Sequence, residues 1–364
     1  MPRIDQLPAA GFVNTADLVP VARLTGTDPY GNPVWTDYAA TFPTTGPVVP
    51  AAPSIGRNYF INGRLRVQQR GPGPWNVAGY TADRWTVLAT AAGSRSVTLV
   101  RLTDADRAAF GDDDAVFALQ YAFVGGTGIG DYDQIAQRVD GLRRLSGKTV
   151  AISFWARGVG AAFNLGVGTV QYFGTGGTPS ATNVSIPSSS VAVTAAWARY
   201  VVVVAIPSVA GTTIGNNRDD WTQFAFLFST GTFTAGTGNV GVQSATAQLR
   251  GMQVEVGLAA TALEASDPVR DLVNCQSYYQ TGQVLMTGYQ VAGSAFGGNV
   301  PPIVAMRGPP VAVVTSSTNT NLSGFTLQLP AGGFGSFGAL YASGNAVVTG
   351  PTAIVANYTA SAEN

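Results

Sequence analysis

Residues 244–280 read SATAQLRGMQVEVGLAATALEASDPVRDLVNCQSYYQ, and they divide the chain. The first part alternates: Ala247, Leu249, Gly251 and Gln253 fall on one side, Gln248, Arg250, Met252 and Val254 on the other. Successive side chains of a strand point to opposite faces, so the alternation predicts a strand over residues 246–256, ended by Gly257. Asp267-Pro268 then predicts a helix start. The aspartate can accept first-turn amide hydrogens, and proline suits the first helical position, where no amide hydrogen is needed. Val269, Leu272, Val273 and Gln276 follow at helical spacing, with Tyr278-Tyr279 behind them.

Working outward, the composition favours strands joined by glycine-rich turns. The 364 residues include 45 glycines, and charged residues are only 11%, against about 25% in ordinary globular domains. So few charges also suit an assembly that hides surface against other copies of itself. The formal net charge is +0 and no basic block exceeds Arg143-Arg144, so no electrostatic footprint for nucleic acid is present. Cys275 is the single cysteine and reads as a buried helix thiol. The start, MPRIDQLPAAGF, does not read as a signal peptide, and no run of about 18 apolar residues predicts membrane insertion.

The expected architecture is mainly β: a jelly-roll β-sandwich with an extended N-terminal anchor, a short helix and a small C-terminal β domain. Residues 1–56 read as extended anchor and linker, with DPYGNP as a turn and four prolines in TFPTTGPVVPAAPSIG. Residues 57–266 carry the sandwich, with strands expected at 85–90, 96–102, 116–123, 149–156, 162–167, 198–206, 221–229 and 246–256. A short helix or turn is expected near 139–145. Residues 267–284 are helix and exit. Residues 285–364 are the C-terminal β domain, with strands at 288–291, 303–306, 311–314, 325–329 and 353–358; it would trimerise the chain or contact a receptor.

The chain contains no histidine, which removes Ser-His-Asp and Cys-His nucleophiles, HExxH zinc sites and, with one cysteine, Cys-based zinc sites. GLRRLSGKT at 141–149 has five residues between the first glycine and Gly-Lys where a P-loop has four, and TVAISFWAR after it is a strand. GGTGIGD at 125–131 lacks dinucleotide-binding spacing and reads as a loop. Paired carboxylates could cleave a glycan; the candidates are Asp112, Asp113, Asp114, Asp131, Asp133, Asp219 and Asp220, although GDDDA reads first as a solvated turn. The same oxygens, Asp131 and Asp133 above all, could hold a structural calcium ion. No catalytic residue, metal ligand or other cofactor is assigned.

Loop aromatics are the other signal, because an apolar ring face packs on the C–H face of a sugar. Trp75, Tyr172 and Trp221 lie beside loops, and Asn217, Asp219 and Asp220 could supply partners for hydroxyls. These six are the candidate glycan-binding residues. Trp85, Trp155 and Trp197 sit within strand patterns and are expected in the core.

NYFINGRLRVQQRG, GYTADRW, LSGKTVAISFWAR, QYFGTGGTPSA, WARYVVVVAIPSVAGTTIGNNRDDW and MQVEVGLAATALEASDPVRDLVNCQSYYQ, in this order, resemble a carbohydrate-binding-module-like jelly roll of bacteriophage tail and head fibre proteins. The resemblance covers about residues 58–280. Val254, Ser277 and Leu263 depart from the family pattern, which has Leu, Arg and an aromatic residue there. IDQLPAA…DLVPVAR is similar to segments that fix fibres to the virion. The resemblance implies a non-enzymatic virion fibre or tail protein, a homotrimer on the tail, neck or capsid surface. Residues 1–56 would bind a capsid, neck or tail protein, and the β domains would bind host-surface glycan. A head decoration or neck fibre with a mainly structural role is one alternative; a tail spike that degrades polysaccharide with paired Asp is the other.

Overall fold

The computed structural model describes residues 18–27, 33–41, 56–90, 92–232, 238–328 and 340–363. The chain divides into two compact units, Met1–Ser54 and Ile55–Asn364. In the first, β1 (Leu18–Thr27) and β2 (Pro33–Thr41) pair antiparallel on either side of DPYGNP. The readings of residues 2–10 and 42–55, and of residues 28–32 as a turn, lie outside the described residues.

The second unit opens with β3 (Gly79–Tyr80), β4 (Thr86–Ala89), β5 (Gly93–Arg101), helix α1 (Asp104–Phe110), β6 (Phe117–Gly125), β7 (Tyr132–Asp140) and β8 (Thr149–Gly158). It continues with β9 (Phe163–Tyr172), β10 (Ser189–Val193), β11 (Ala198–Ala205), β12 (Trp221–Thr230) and β13 (Ser244–Val256). The strands form a six-stranded sheet, β10-β9-β12-β7-β4-β3, and a five-stranded sheet, β11-β8-β13-β6-β5. Every pairing is antiparallel. The chain changes sheet from β4 to β5, β6 to β7, β7 to β8, β8 to β9, β10 to β11, β11 to β12 and β12 to β13, so most strands adjacent in a sheet are not consecutive in sequence. That is a jelly-roll sandwich.

Alternation places Phe224, Phe226 and Phe228 of β12 between the sheets, against Phe60, Trp85, Tyr121 and Phe154. Each such side chain contributes about 1.5–3 kcal/mol on burial. Tyr121 stacks on Phe228 at a centroid distance of 4.1 Å.

The strict alternation read for residues 246–256 breaks at Gly251. Its φ is +58°, and the register with β8 shifts between Arg250 and Gln253. The bulge inserts one residue and reverses the parity beyond it. Met252 and Val254 therefore join Ala247 and Leu249 in the core, while Gln253 and Glu255 turn outward with Gln248 and Arg250. There Gln253 donates to Glu255 at 2.8 Å, Thr261 donates to Glu255 through N and Oγ1, each at 2.7 Å, and Glu264 N donates to Gln253 Oε1 at 2.8 Å. Glu264 itself accepts from the amides of Gly56 and Asn58, fixing the chain as it enters the sandwich.

Other expectations need correction. Helix α1 was not foreseen; Thr103 and Asp106 close a capping box at its start. Its Phe110 lies on the outer face of the five-stranded sheet against Trp155 and Trp197, so those two tryptophans are half-buried under a helix rather than between the sheets. Asp112 is no solvated turn residue: it pairs with Arg250 at 2.7 Å and Arg64 at 3.1 Å. Residues 132–140 form β7, a strand not foreseen, and the short helix or turn expected near 139–145 is a single helical turn at Leu142–Arg144.

Helix α2 (Pro268–Gln276) starts as expected, with Asp267 accepting from Val269 N at 2.8 Å, and buries Cys275. It stops early, because β14 (Tyr279–Gln290) begins three residues later. Then follow β15 (Ala295–Val300), β16 (Val311–Thr320), β17 (Leu322–Gln328), β18 (Leu340–Ala346) and β19 (Gly350–Ser361). They form two three-stranded sheets, β14-β19-β16 and β15-β18-β17, around Val284, Ile354, Ala356 and Tyr358. Residues 303–306 are irregular rather than a strand. Tyr278 and Tyr279 join these sheets to the sandwich, since Arg84 lies 3.4 Å over one ring and Arg70 3.5 Å over the other.

Candidate functional site

The residues of β12 that do not enter the core are Trp221, Gln223, Ala225 and Leu227, and they face out of the six-stranded sheet. Register sets Asp140, Arg138, Ala136 and Gln134 of β7 opposite them on one side. Tyr172, Val170, Gly168 and Gly166 of β9 lie opposite on the other. One row, Ala136–Ala225–Gly168, is built only from the smallest side chains. Strand side chains stand roughly perpendicular to the sheet, so a row without them is a trough, filled by Val240 over Ala136 and open toward Gly168.

Two flanking segments wall this trough. Ile129 to Tyr132 with Gly238 and Asn239 form one side, and Val184 to Ser188 the other, enclosing an open groove of about 750 Å³. Val240 is buried on Ala136, Ala225 and Leu227 and fixes the first wall to the sheet. The floor combines apolar surface from Val170, Ala225 and Leu227 with the side-chain amides of Gln134 and Gln223. Each amide offers two donors and an acceptor oxygen. The volume falls within the roughly 300–1,000 Å³ of small-molecule sites.

At one end of the same face, Tyr172 and Trp221 are directly opposed and stack at 4.9 Å with an interplanar angle of 28°. Both are partly exposed. The Arg138 guanidinium lies 4.6 Å over the Trp221 ring and its Nε donates to Gln223 at 3.4 Å. Asp140, opposite Trp221, is occupied elsewhere: it accepts from the Tyr278 hydroxyl at 2.5 Å and pairs with Arg307 at 2.9 Å.

Of the six sequence candidates, the structure brings Tyr172 and Trp221 together on the groove face. Asn217, Asp219 and Asp220 lie in the loop leading into Trp221 and hold neighbouring backbone. Asp219 accepts from Thr175 N at 2.7 Å and Thr175 Oγ1 at 2.6 Å, and Asn217 donates to the same hydroxyl at 2.9 Å. Burial would raise the Asp219 carboxyl, but the Thr175 hydrogen bonds outweigh it and hold it below the usual range. Asp220 accepts from Leu142 N at 2.7 Å. Trp75 stands apart: it pairs with Val97 of β5 in the other sheet and packs on the core.

The carboxylates weighed for catalysis or calcium have separate partners. Asp131 accepts from Gly128 N at 2.7 Å and Thr90 Oγ1 at 3.0 Å; Asp133 accepts from Arg95 at 2.5 Å and the Tyr121 hydroxyl at 3.3 Å. Among the described residues no cluster of three or more His, Cys, Asp or Glu side chains could hold a metal ion. Gln134, Gln223, Val170 and the trough glycine Gly168 were missed in the sequence. In GTVQYF the outward parity is Gly168, Val170 and Tyr172 while the polar Thr169 and Gln171 are buried, so local alternation carries no signal for them.

No family model matches the chain, and no curated protein matches it. Among solved structures, one described as "CBM4 structure and function" is similar at 16% identity, over 54% of this chain and 98% of the other, with a TM-score of 0.30. A family 11 carbohydrate-binding module from Clostridium thermocellum, in complex with a β-1,3-1,4-mixed-linked tetrasaccharide, shares 13% identity over 50% of this chain and 91% of its own, at a TM-score of 0.29. The enzymatically active domain of bacteriophage CBA120 tailspike protein 4 shares 12% identity over 55% of this chain, but only 22% of that protein is covered, at a TM-score of 0.32. The jelly-roll assignment rests on the strand order and pairing given above.

Proposed function

We propose that the chain is a non-catalytic glycan-binding protein whose site is the outer face of the six-stranded sheet. One observation carries this: the groove over Gly168, Val170 and Ala225 shares its face with the stacked pair Tyr172–Trp221. From Leu227 to Trp221 the face runs ~20 Å, at ~3.4 Å per residue, room for several linked sugar rings. The rings would pack on aromatic and aliphatic surface while Gln134 and Gln223 bond hydroxyls. Asp131 is the one carboxylate among the described lining residues. Two-carboxylate hydrolysis needs a second one within about 10 Å across the substrate, and the floor there carries amides, alanine and glycine. These features support binding over cleavage.

The resemblance of residues 58–280 extends the proposal. The protein is a bacteriophage virion fibre or tail protein, held on the particle through residues 1–56. It is a homotrimer whose weak sites act together at high effective concentration on host-surface glycan.

A glycan array probed with the full chain, followed by titration of the best ligand against wild type and Trp221→Ala, tests the binding site. Binding that falls at least tenfold in the variant, with no release of reducing sugar by the wild type, supports the reading. Equal binding by both proteins moves the site off this face, and sugar release lost on Asp131→Asn would make the protein an enzyme.

A further inference from the structure

From Tyr279 to the last residue the sequence contains two charged side chains, Arg307 and Glu363. Both are spent against the sandwich: Arg307 pairs with Asp140 at 2.9 Å, and Glu363 with Arg70 at 2.5 Å. The rest of this segment's surface is therefore without formal charge, although charged residues normally make up roughly a quarter to a third of a small domain's surface.

The neutrality is concentrated on the outer face of the β14-β19-β16 sheet. The parity of Val284, Ile354 and Tyr358, which point into the local core, sends Leu285, Thr287, Tyr289, Val311, Val313 and Val355 the other way. Leu285 is 67% exposed, Tyr289 68% and Val311 71%. Among the described residues, β14 and β16 each have one strand partner, β19, so both are edge strands. Natural proteins blunt exposed edges with lysine, inward charges, proline or bulges. β14, YQTGQVLMTGYQ, has no charge, no proline and an unbroken register over its whole length with β19.

We propose that this face is a self-association surface, the one through which the homotrimer proposed above assembles, and that its occupant is another copy of the chain. Charge decides the occupant. A partner recognised through charge would find no counter-charge here, whereas a second copy brings an equally neutral face, with no like-charge repulsion and no ion left unpaired on burial. Extent agrees: twelve residues at ~3.4 Å and three strands at ~4.8 Å give a face of about 600 Å² before side-chain relief, close to the ~800 Å² per partner of a standard interface. The inference does not depend on the glycan site, which lies on the sandwich.

Sedimentation of the full chain across micromolar concentrations tests it, with Leu285→Lys/Val313→Lys as the face variant and Val201→Lys on the sandwich as control. The expected result is an oligomer for wild type and control and a monomer for the face variant, with far-UV circular dichroism unchanged. As a second reading, Thr287→Cys should give an intermolecular disulfide under mild oxidation. A monomeric wild type overturns this proposal together with the homotrimer above, whereas an oligomer untouched by the face variant overturns this proposal alone. A face variant that stays oligomeric, or an uncrosslinked Thr287→Cys in an oligomer, places the interface elsewhere. Per-site glycan affinity of the face variant should equal that of wild type, so loss of assembly and loss of sugar binding are read separately.

Discussion

Arg70 and Glu363, separated by 293 positions in sequence, meet in a buried ion pair at 2.5 Å. Arg84 stands 3.7 Å from the same carboxylate, and Asp83 lies 3.5 Å from Arg70. Burial pushes the Glu363 and Asp83 carboxyls above their usual range, against the opposing pull of Arg70 in each case. The cluster ties the final strand to the first turns of the sandwich. Removing one member of a buried pair leaves the other uncompensated, which costs about 3–5 kcal/mol. Arg70→Ala should therefore lower the unfolding free energy by about 3 kcal/mol or more in urea titration. A loss below about 1 kcal/mol would mean that the joint is held by contacts without Arg70, namely Arg84 over the Tyr278 ring and the Arg307–Asp140 pair.

Asp112 gives the opposite pH behaviour. Burial would raise its carboxyl, but hydrogen bonds and charge from Arg250 and Arg64 outweigh that and hold it below the ordinary value of 3.8. A depressed folded-state pKa contributes stability that is complete above the unfolded value and is lost as pH falls through the folded one. Asp112→Asn leaves Arg250, which is 1% exposed, with a weakened partner. The variant should be about 2–4 kcal/mol less stable at pH 7, and the gap should close as pH drops from about 4 toward 2. Urea titrations of both proteins at several pH values check this; a gap constant with pH would contradict the ion-pair account.

How much of this was legible beforehand varies by element. Phe224, Phe226 and Phe228 announce β12 because a buried face needs large apolar groups at every second position. β7 was hidden because YDQIAQRVD puts Asp133 and Gln137 on its inner face, where Arg95 and the Ile61 backbone satisfy them. Partners 38 and 76 residues away leave no local signal. The groove was illegible for a related reason. Ala136, Gly168 and Ala225 mean nothing singly and become a trough only when strand pairing sets them side by side. Tyr172 and Trp221 could be named as aromatics near loops, but not as a stacked pair.

The bulge in β13 shows how one residue overrides a pattern. Gly251 has φ +58°, a left-handed conformation that costs an L-residue about 1–2 kcal/mol. A Cβ there would also meet Leu263 Cδ2 at 3.1 Å and Trp155 Cδ1 at 3.4 Å. Gly251→Val should destabilise the sandwich by about 2–3 kcal/mol, since a β-branched side chain adds bulk to the strained conformation. Thermal unfolding of the variant measures it. Wild-type stability would show that the strand can flatten its bulge and slip register.

The groove itself can be closed from its floor. Position 168 faces outward opposite Ala225, and no positive φ reserves it for glycine. Gly168→Leu places a branched side chain in the trough at the point where a ligand must lie closest to the sheet. Stability should change by no more than about 1–2 kcal/mol, because extra volume there displaces solvent rather than core. Glycan affinity should fall at least tenfold, about 1.4 kcal/mol, beyond what Trp221→Ala removes at the aromatic end. Parallel melting curves and titrations separate the two effects. A Gly168→Leu protein that melts like wild type and binds like wild type would leave the stacked pair as a surface platform and take the ligand out of the groove.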